Sequence, residues 1–380
     1  MNQHAKFFVL IFLMLFATIQ YVLILRHKAP NVSDSYFYKH TYYQLQGDTF
    51  HQAYQKNLQN IDFEKADIIT TNIFKNPQNY NKSYKFFAGR TLYPYLAYWL
   101  NLIFDSEYLA FLIPIFISYI GTILLTFYIC AKGLNYFFAS FATALLIAFY
   151  PFLDWSTFFL TDVIGTFLWL LLIFFAFQYI NFKKNVFLIF FALTLLLSLF
   201  NREQAVLTVP LFLLFFLMVK IFKFSKIIIS NSFKILLVTI VIVFPYLLFT
   251  TLRFRGSIVE NLEYMRNSFG LYSNAFTMQD NISYIIKSLK ITHLALLLDL
   301  LRHHWWFVFT FMGLLSQALL LFFTKKRALI DLLLLSSFVA SYMFIIWPFL
   351  SYRFLFPAII SIIYFSSKFM QEIYDRLEDQ

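Results

Sequence analysis

Apolar stretches long enough to cross a lipid bilayer recur along this chain of 380 residues. A helix needs about 20 mostly apolar residues to span the hydrocarbon core, where every backbone polar group must be hydrogen-bonded within the protein. Only 13% of the residues are charged, compared with about 25% in soluble domains. The sequence therefore predicts an all-α polytopic membrane protein with a single transmembrane domain. The stretches lie at 7–25, 91–104, 108–130, 136–153, 156–180, 186–200, 205–219, 235–252, 303–323, 328–350 and 352–367.

The basic residues indicate membrane topology rather than a nucleic-acid partner. The net charge is +11, but Lys and Arg stand in short clusters between the apolar stretches, as do residues that orient membrane helices. We therefore expect contact with the lipid bilayer and no nucleic acid. The single cysteine, Cys130, lies inside an apolar stretch, which excludes an intramolecular disulfide bond and a cysteine metal site.

The distribution of these clusters determines the predicted number of spans. If every apolar stretch crossed the membrane, the clusters at 183–184, 220–234 and 325–327 would lie opposite Lys6, against the positive-inside bias. All of them share one side with Lys6 if 91–104 lies in the membrane interface instead. We therefore predict ten transmembrane helices and one interfacial helix, with both termini in the cytoplasm.

The stretch 91–104 has the pattern of an amphipathic interfacial helix, because it is short for a span and has two different faces. The polar face is Thr91, Tyr95, Tyr98, Asn101 and Asp105, and the apolar face is Leu92, Leu96, Trp99 and Ile103. The two long extracytoplasmic segments are then 26–107 and 253–302, while the cytoplasmic loops are short. This asymmetry predicts that the protein acts at the outer face of the membrane.

Ionisable residues at the edges of the apolar stretches are the candidates for chemistry, since each costs about 3 kcal/mol at the bilayer centre unless it is paired or hydrated. Those expected on the outer side are Asp34, Arg90, Asp162, Arg202, Glu203 and Arg353. We predict Asp34 as the catalytic residue and the other five as substrate-binding residues.

Each candidate also has a purely structural interpretation, which the residues alone leave open. Asp34 is either the N-cap of a tyrosine-rich helix or a general base or metal-linked carboxylate. Arg90 contacts either lipid headgroups or an anionic substrate. Asp162, inside an apolar span, is either a packing residue or a substrate contact. Arg202 and Glu203 form either a local ion pair that ends two helices or part of the site.

The shared location of these residues favours a substrate that carries phosphate at the membrane surface. Three arginines and the acids from separate segments are expected on one membrane face. Arginine can stabilise the charge that develops on a leaving phosphate, while a carboxylate removes the proton of an acceptor. This combination fits a lipid-linked phosphate or diphosphate as the donor.

Four short motifs resemble the GT-C superfamily of integral-membrane glycosyltransferases, which take sugars from polyprenyl-phosphate donors. An acid precedes a tyrosine-rich helix at Asp34-Ser-Tyr-Phe-Tyr, and an arginine precedes the interfacial helix at Arg90-Thr91-Leu92-Tyr93-Pro94. The hairpin Asn201-Arg202-Glu203 and the late segment Tyr352-Arg353-Phe354-Leu355-Phe356-Pro357 look like corresponding elements of bacterial members.

The resemblance implies an inverting glycosyltransferase in the bacterial cytoplasmic membrane, acting on a polyprenyl-phosphate-sugar donor and a lipid, glycan or protein acceptor. Asp34 would be the catalytic carboxylate, Arg202 and Arg353 would contact the donor phosphate, and Arg90 would shape the site. Many members carry a paired acid in the first loop, whereas Ser35 and Tyr36 follow Asp34 here. The sequence therefore leaves open whether a divalent metal ion, Mg or Mn, is a cofactor.

Two other functions remain compatible with the sequence. A transporter or flippase of lipid-linked sugars would line a path through the membrane with polar residues and often has internal repeats; no repeat is apparent here. A polymerase of lipid-linked glycans would use arginines in its late outer loop, and 253–302 holds Arg253, Arg255, Arg266 and Arg302. Such a polymerase should tolerate alanine at Asp34.

Overall fold

The computed structural model describes residues 3–64, 66–250, 278–324, 327–343 and 351–378, and within them the regular structure is helical, without a strand. The first half contains α1 Gln3–Arg26, α2 Ser33–Leu45, α3 Phe50–Gln59, α4 Ile68–Phe74, α5 Pro77–Phe87, α6 Leu92–Phe104, α7 Glu107–Cys130, α8 Tyr136–Ala148 and α9 Tyr150–Trp155. The second half contains α10 Asp162–Phe182, α11 Asn185–Asn201, α12 Thr208–Ile221, α13 Lys226–Thr250, α14 Met278–Arg302, α15 His304–Phe322, α16 Leu329–Tyr342 and α17 Phe356–Glu378. Short 3-10 helices precede α12 at Glu203–Leu207 and α17 at Tyr352–Phe354.

Six segments of the described chain are long and apolar enough to cross a membrane, judged by length and composition. They are Phe7–Arg26, Glu107–Cys130, Asp162–Phe182, Glu203–Ile221, Lys226–Thr250 and His304–Phe322, and the shorter apolar helices are α8, α11 and α16. This agrees with the predicted all-α, multi-pass membrane protein. The number of ten spans stays a prediction. Of the predicted outer segment 253–302, the part from Met278 is helix α14, and the rest lies outside the described residues.

Helices α2 to α6 pack around an aromatic core. The Phe37 ring lies 4.7 Å from Phe87, 5.3 Å from Phe74 and 5.4 Å from Tyr80, measured between ring centroids. Aromatic side chains bury about 150–250 Å² each, so a few of them are enough to hold short helices together. The core fixes the position of α2, which carries Asp34 in its first turn.

Two of the predicted apolar helices are broken where the sequence remains apolar. The predicted stretch 136–153 ends as α8 at Ala148, and α9 begins anew with Pro151 in its first turn, where proline loses no helical hydrogen bond. The predicted stretch 156–180 becomes helical only at Asp162. Between them, the Phe159 amide donates to the Pro30 carbonyl at 2.9 Å, which ties the break to the segment that leads into α2.

The predicted interfacial segment 91–104 is helical, and its location in the membrane interface stays a prediction. Helix α6 has 13 residues, so it extends about 20 Å, less than the hydrocarbon core of about 30 Å. The buried residues are Tyr93, Pro94 and Ala97. Trp99 and Ile103 of the predicted apolar face are exposed on the surface of the protein, while α6 packs on α2 and α7.

Asp331 and Lys368 form a largely buried charge pair close to the basic cluster at 325–327. The sequence alone indicated only basic residues in this region. Asp331, in the first turn of α16, is 1% exposed. Its carboxylate accepts from the Tyr364 hydroxyl at 2.5 Å and from the Ala328 amide at 3.2 Å, and it pairs with the Lys368 ammonium. The pair joins the first turn of α16 to α17.

We predict that Asp331→Ala destabilises the protein strongly. The substitution leaves the Lys368 charge partly buried without its partner, a change that costs about 3–5 kcal/mol at buried pairs. Thermal unfolding of the purified protein in detergent measures the effect. Asp375→Ala removes an exposed acid of α17 and serves as the control; equal unfolding temperatures for the two variants would show that the Asp331 pair contributes nothing.

The region formed by helices α2 to α6 contains a buried histidine, His40. His40 is fully buried, and its Nδ1 lies 2.8 Å from the Tyr80 hydroxyl, which also accepts from Asn57 Nδ2 at 3.0 Å. Burial disfavours the charged imidazole, so His40 is neutral and shares one hydrogen bond with the Tyr80 hydroxyl. Burial lowers the pKa of His40 from 6.5 to about 4.

This shift predicts a loss of stability in mild acid. Between pH 6.5 and about 4 the unfolded chain binds a proton at His40 that the folded protein does not bind. The free energy of unfolding therefore falls as the pH falls through this window, by at most about 3 kcal/mol. His40→Gln keeps a hydrogen-bonding group for Tyr80 and should flatten the pH dependence in detergent unfolding experiments. His51→Gln, at an exposed position, should leave it unchanged.

Candidate functional site

Asp162 and Arg202 form the most buried ion pair among the candidate residues. Asp162 is the first residue of α10, and Arg202 directly follows α11. Their side chains are 3% and 8% exposed, and Arg202 Nη1 donates to Asp162 Oδ1. Asn201 Nδ2 also donates to the Thr161 carbonyl at 3.0 Å. The end of α11 is thereby fixed against the beginning of α10.

Arg353 lies between two carboxylates. Its Nη1 is 3.1 Å from Asp34 Oδ2 and 3.9 Å from Asp162 Oδ2. The guanidinium lies 4.8 Å from the ring centroids of both Trp155 and Phe354, a distance at which aromatic faces attract cations. The carboxylates of Asp34 and Asp162 both stabilise its positive charge.

Arg90 is held by an acid and a tyrosine that come from different helices. Its Nε donates to Glu203 Oε2 at 2.9 Å, and its Nη1 donates to the Tyr38 hydroxyl at 3.2 Å. Tyr38 Oη is also 2.9 Å from Thr161 Oγ1, the residue before Asp162. Arg90 therefore joins the beginning of α6, helix α2 and the 3-10 helix before α12.

The six candidate residues are thus brought together at one end of the apolar helices, and several structural interpretations are corrected. Arg90 is buried, which is incompatible with a side chain extended to lipid headgroups. Arg202 and Glu203 pair with distant partners, Asp162 and Arg90, rather than with each other.

The two aspartates also occupy positions that differ from those expected. The N-cap of α2 is Val32, so Asp34 is not the cap; it lies in the first turn and faces Arg353. Asp162 is the first residue of α10 and so lies at the end of a candidate span rather than in its interior. It is paired with Arg202.

Several residues of the site were missed by sequence reasoning. Tyr38 stands four residues after Asp34, on the same face of α2, so helical spacing could have identified it among the tyrosines of this segment. Trp155 and Phe354 contact Arg353, but no pattern distinguishes them from the other aromatic residues. Lys28 pairs with Asp154 at 2.6 Å and secures the segment before α2.

The electrostatics of the cluster are balanced. Three guanidinium groups face three carboxylates, so their formal charges cancel. The exposed fraction of the side chains is uneven: Asp34 and Arg353 are 24% and 18% exposed, whereas Asp162 and Arg202 are almost fully buried. A soluble or lipid-borne ligand therefore reaches the Asp34–Arg353 pair first.

The donor set of this cluster does not fit a divalent metal ion. Each of its carboxylates already contacts a guanidinium, and three arginines would repel an added cation. Among the residues that the structure describes, no group of three or more His, Cys, Asp or Glu side chains has an arrangement that could hold a metal ion. We therefore assign no step to a metal.

One cavity lies within the cluster, and a second, larger cavity is lined by Tyr352, the residue before Arg353. The smaller, about 30 Å³, is lined by Asp162, Arg202 and Arg353 together with Ser198 and Ser341, and it matches the volume of about one water molecule. The larger, about 510 Å³, is mostly apolar. Its lining includes Trp306, Phe338, Tyr342, Tyr352, Leu355 and Ile359.

Comparison with known proteins gives no further assignment, since no family model and no curated protein matches the chain. The chemistry of the site therefore follows from its geometry.

Proposed function

We propose that the protein is a membrane glycosyltransferase of GT-C type, which moves a sugar from a polyprenyl-phosphate-linked donor to a lipid, glycan or protein acceptor at the extracytoplasmic face. The observation that carries this proposal is the accessible Asp34–Arg353 pair, 3.1 Å apart, backed by the buried Asp162–Arg202 pair. A carboxylate and a guanidinium side by side are suited to deprotonate an acceptor and to stabilise a leaving phosphate.

Each residue then has a distinct role. Asp34 takes the proton of the acceptor hydroxyl, and Arg353 binds the phosphate of the donor. Arg202 stays paired with Asp162 and adds positive charge near that phosphate. Asp162 orients both arginines through its two carboxylate oxygens. Arg90 and Glu203 hold the segments on either side in place. Attack by the acceptor from the face opposite the departing phosphate inverts the configuration of the anomeric carbon.

The apolar cavity supports a donor with a long hydrocarbon chain. Tyr352 lines this cavity, and the next residue, Arg353, lies in the ion cluster. A phosphate bound by Arg353 would therefore lie one residue along the chain from the lining of an apolar space of about 510 Å³. A polyprenyl phosphate has this combination of an anionic head and an apolar chain.

The proposed topology has ten spans, an interfacial α6 and cytoplasmic termini in a bacterial cytoplasmic membrane. Helix α10 has 21 residues and so extends about 30 Å from Asp162, the thickness of a hydrocarbon core. Lys183 and Lys184 follow at its far end, where α11 turns back and packs on α10. Basic residues at that end agree with the positive-inside bias.

Labelling with a membrane-impermeant maleimide tests this sidedness. The single native cysteine, Cys130, is buried, so the unmodified chain provides a low background. We expect Gln59→Cys, exposed in the outer helical region, to react in intact cells. Lys184→Cys, also exposed, should react only after permeabilisation. The reverse pattern would place the cluster in the cytoplasm and contradict the proposal.

Substitution of Asp34 tests the reaction. In a deletion strain of the native host, Asp34→Asn and Asp34→Ala should lower formation of the glycosylated product by about 10²- to 10⁴-fold, the usual contribution of a general base. Mass spectrometry of the envelope glycans identifies the missing sugar, and expression and membrane insertion are measured in parallel.

Asp48→Asn is the matched control, because Asp48 lies in the same outer region but pairs with Lys56. It should retain full activity. Full activity of both Asp34 variants would instead favour a polymerase that works through its late loop. Three of the arginines of that loop, Arg253, Arg255 and Arg266, lie outside the described residues.

A further inference from the structure

Arg353 has the geometry of a group that exchanges partners. Its Nη1 makes one close contact, to Asp34, and one longer contact, to Asp162 at 3.9 Å. Its Nε is buried and has no hydrogen-bond partner among the described residues. The two aromatic rings on either side attract its charge without fixing a particular hydrogen-bond acceptor,.

The other two arginines are held more firmly. Arg202 and Asp162 are both almost fully buried, and Arg90 has an acid at 2.9 Å and a tyrosine hydroxyl at 3.2 Å. Breaking a buried ion pair leaves an uncompensated charge and is strongly unfavourable, whereas partly exposed pairs contribute little. Exchange is therefore easiest at the Asp34–Arg353 pair.

An arriving phosphate must take a guanidinium from a carboxylate, because the charges of the cluster cancel without it. We propose that the donor phosphate removes Arg353 from Asp34 and thereby frees this carboxylate for the acceptor, so that the donor binds before the acceptor is activated. This inference rests on the proposed glycosyl transfer. Asp162, already close to Arg353, keeps the displaced guanidinium within the site.

The step is balanced in atoms and charge. The acceptor oxygen forms a bond to the anomeric carbon, and its proton passes to Asp34. The bond from the anomeric carbon to the phosphate oxygen breaks, and its electron pair stays on the phosphate, which Arg353 now neutralises. Arg353 cannot form a close ion pair with Asp34 and with the phosphate at the same time. In the absence of donor, Asp34 would therefore stay paired with Arg353 and would not accept the acceptor proton.

Binding of farnesyl phosphate, a short isoprenyl phosphate without a sugar, tests the exchange without requiring transfer. Titration calorimetry on the full chain in nanodiscs should show that Asp34→Asn binds this probe about fivefold more tightly than the unmodified protein, the factor expected when a partly exposed ion pair no longer competes. Arg353→Gln should weaken binding by at least about tenfold. Asp48→Asn should leave the affinity unchanged.

The double variant shows whether the two residues act on each other. In the Arg353→Gln background, Asp34→Asn should no longer tighten binding, because no guanidinium remains to be released. Asp34→Ala provides a second variant if the asparagine side chain itself binds Arg353.

The outcomes separate the two proposals. Arg353-dependent binding that Asp34→Asn and Asp34→Ala leave equal or weaker would overturn the exchange and leave the glycosyltransferase proposal intact. Failure of the unmodified protein and all variants to bind the probe would overturn both.

Discussion

The pairing of Asp162 with Arg202 is the interaction on which the arrangement of this site depends. A lone guanidinium or carboxylate at the end of an apolar helix is expensive to bury, and loss of one partner of such a pair typically costs about 3–5 kcal/mol. The ends of α10 and α11 must therefore meet. The Asn201 bond to the Thr161 carbonyl adds to the same junction, and the remaining charged residues are arranged around this fixed point.

The aromatic core of helices α2 to α6 determines which face of α2 contacts this junction. Phe37 and Tyr38 both pack on the Phe87 ring, with centroid distances of 4.7 and 5.7 Å, and these contacts fix the rotation of α2 about its axis. Asp34 and Tyr38 are four residues apart and lie on one face of the helix. Through Asp34 the helix meets Arg353, and through Tyr38 it meets Arg90. The aromatic core of helices α2 to α6 thus places Asp34 and Tyr38 next to the arginines at the end of the apolar helices.

The sequence predicted the helices and the candidate residues, but not the partners of those residues. Helices follow from apolar length, since a bilayer requires internal backbone hydrogen bonds. The pairs Asp162–Arg202 and Arg90–Glu203 join residues 40 and 113 positions apart, and no local pattern encodes such distances. The breaks before Pro151 and Asp162 were missed because apolar composition continues through them, and Asp331 was missed because it follows a basic cluster.

The balance of charge in the cluster explains how it can be both stable and reactive. Arginines that wait unpaired for an anion would be costly in an apolar setting, so each is paired in the absence of a ligand. Because each guanidinium contacts a carboxylate, an anionic ligand must compete with that carboxylate for it. In the proposed exchange, the gradient of burial determines the order of events: the deeply buried Asp162–Arg202 pair persists, while the more exposed Asp34–Arg353 pair is the one that an anionic headgroup would open.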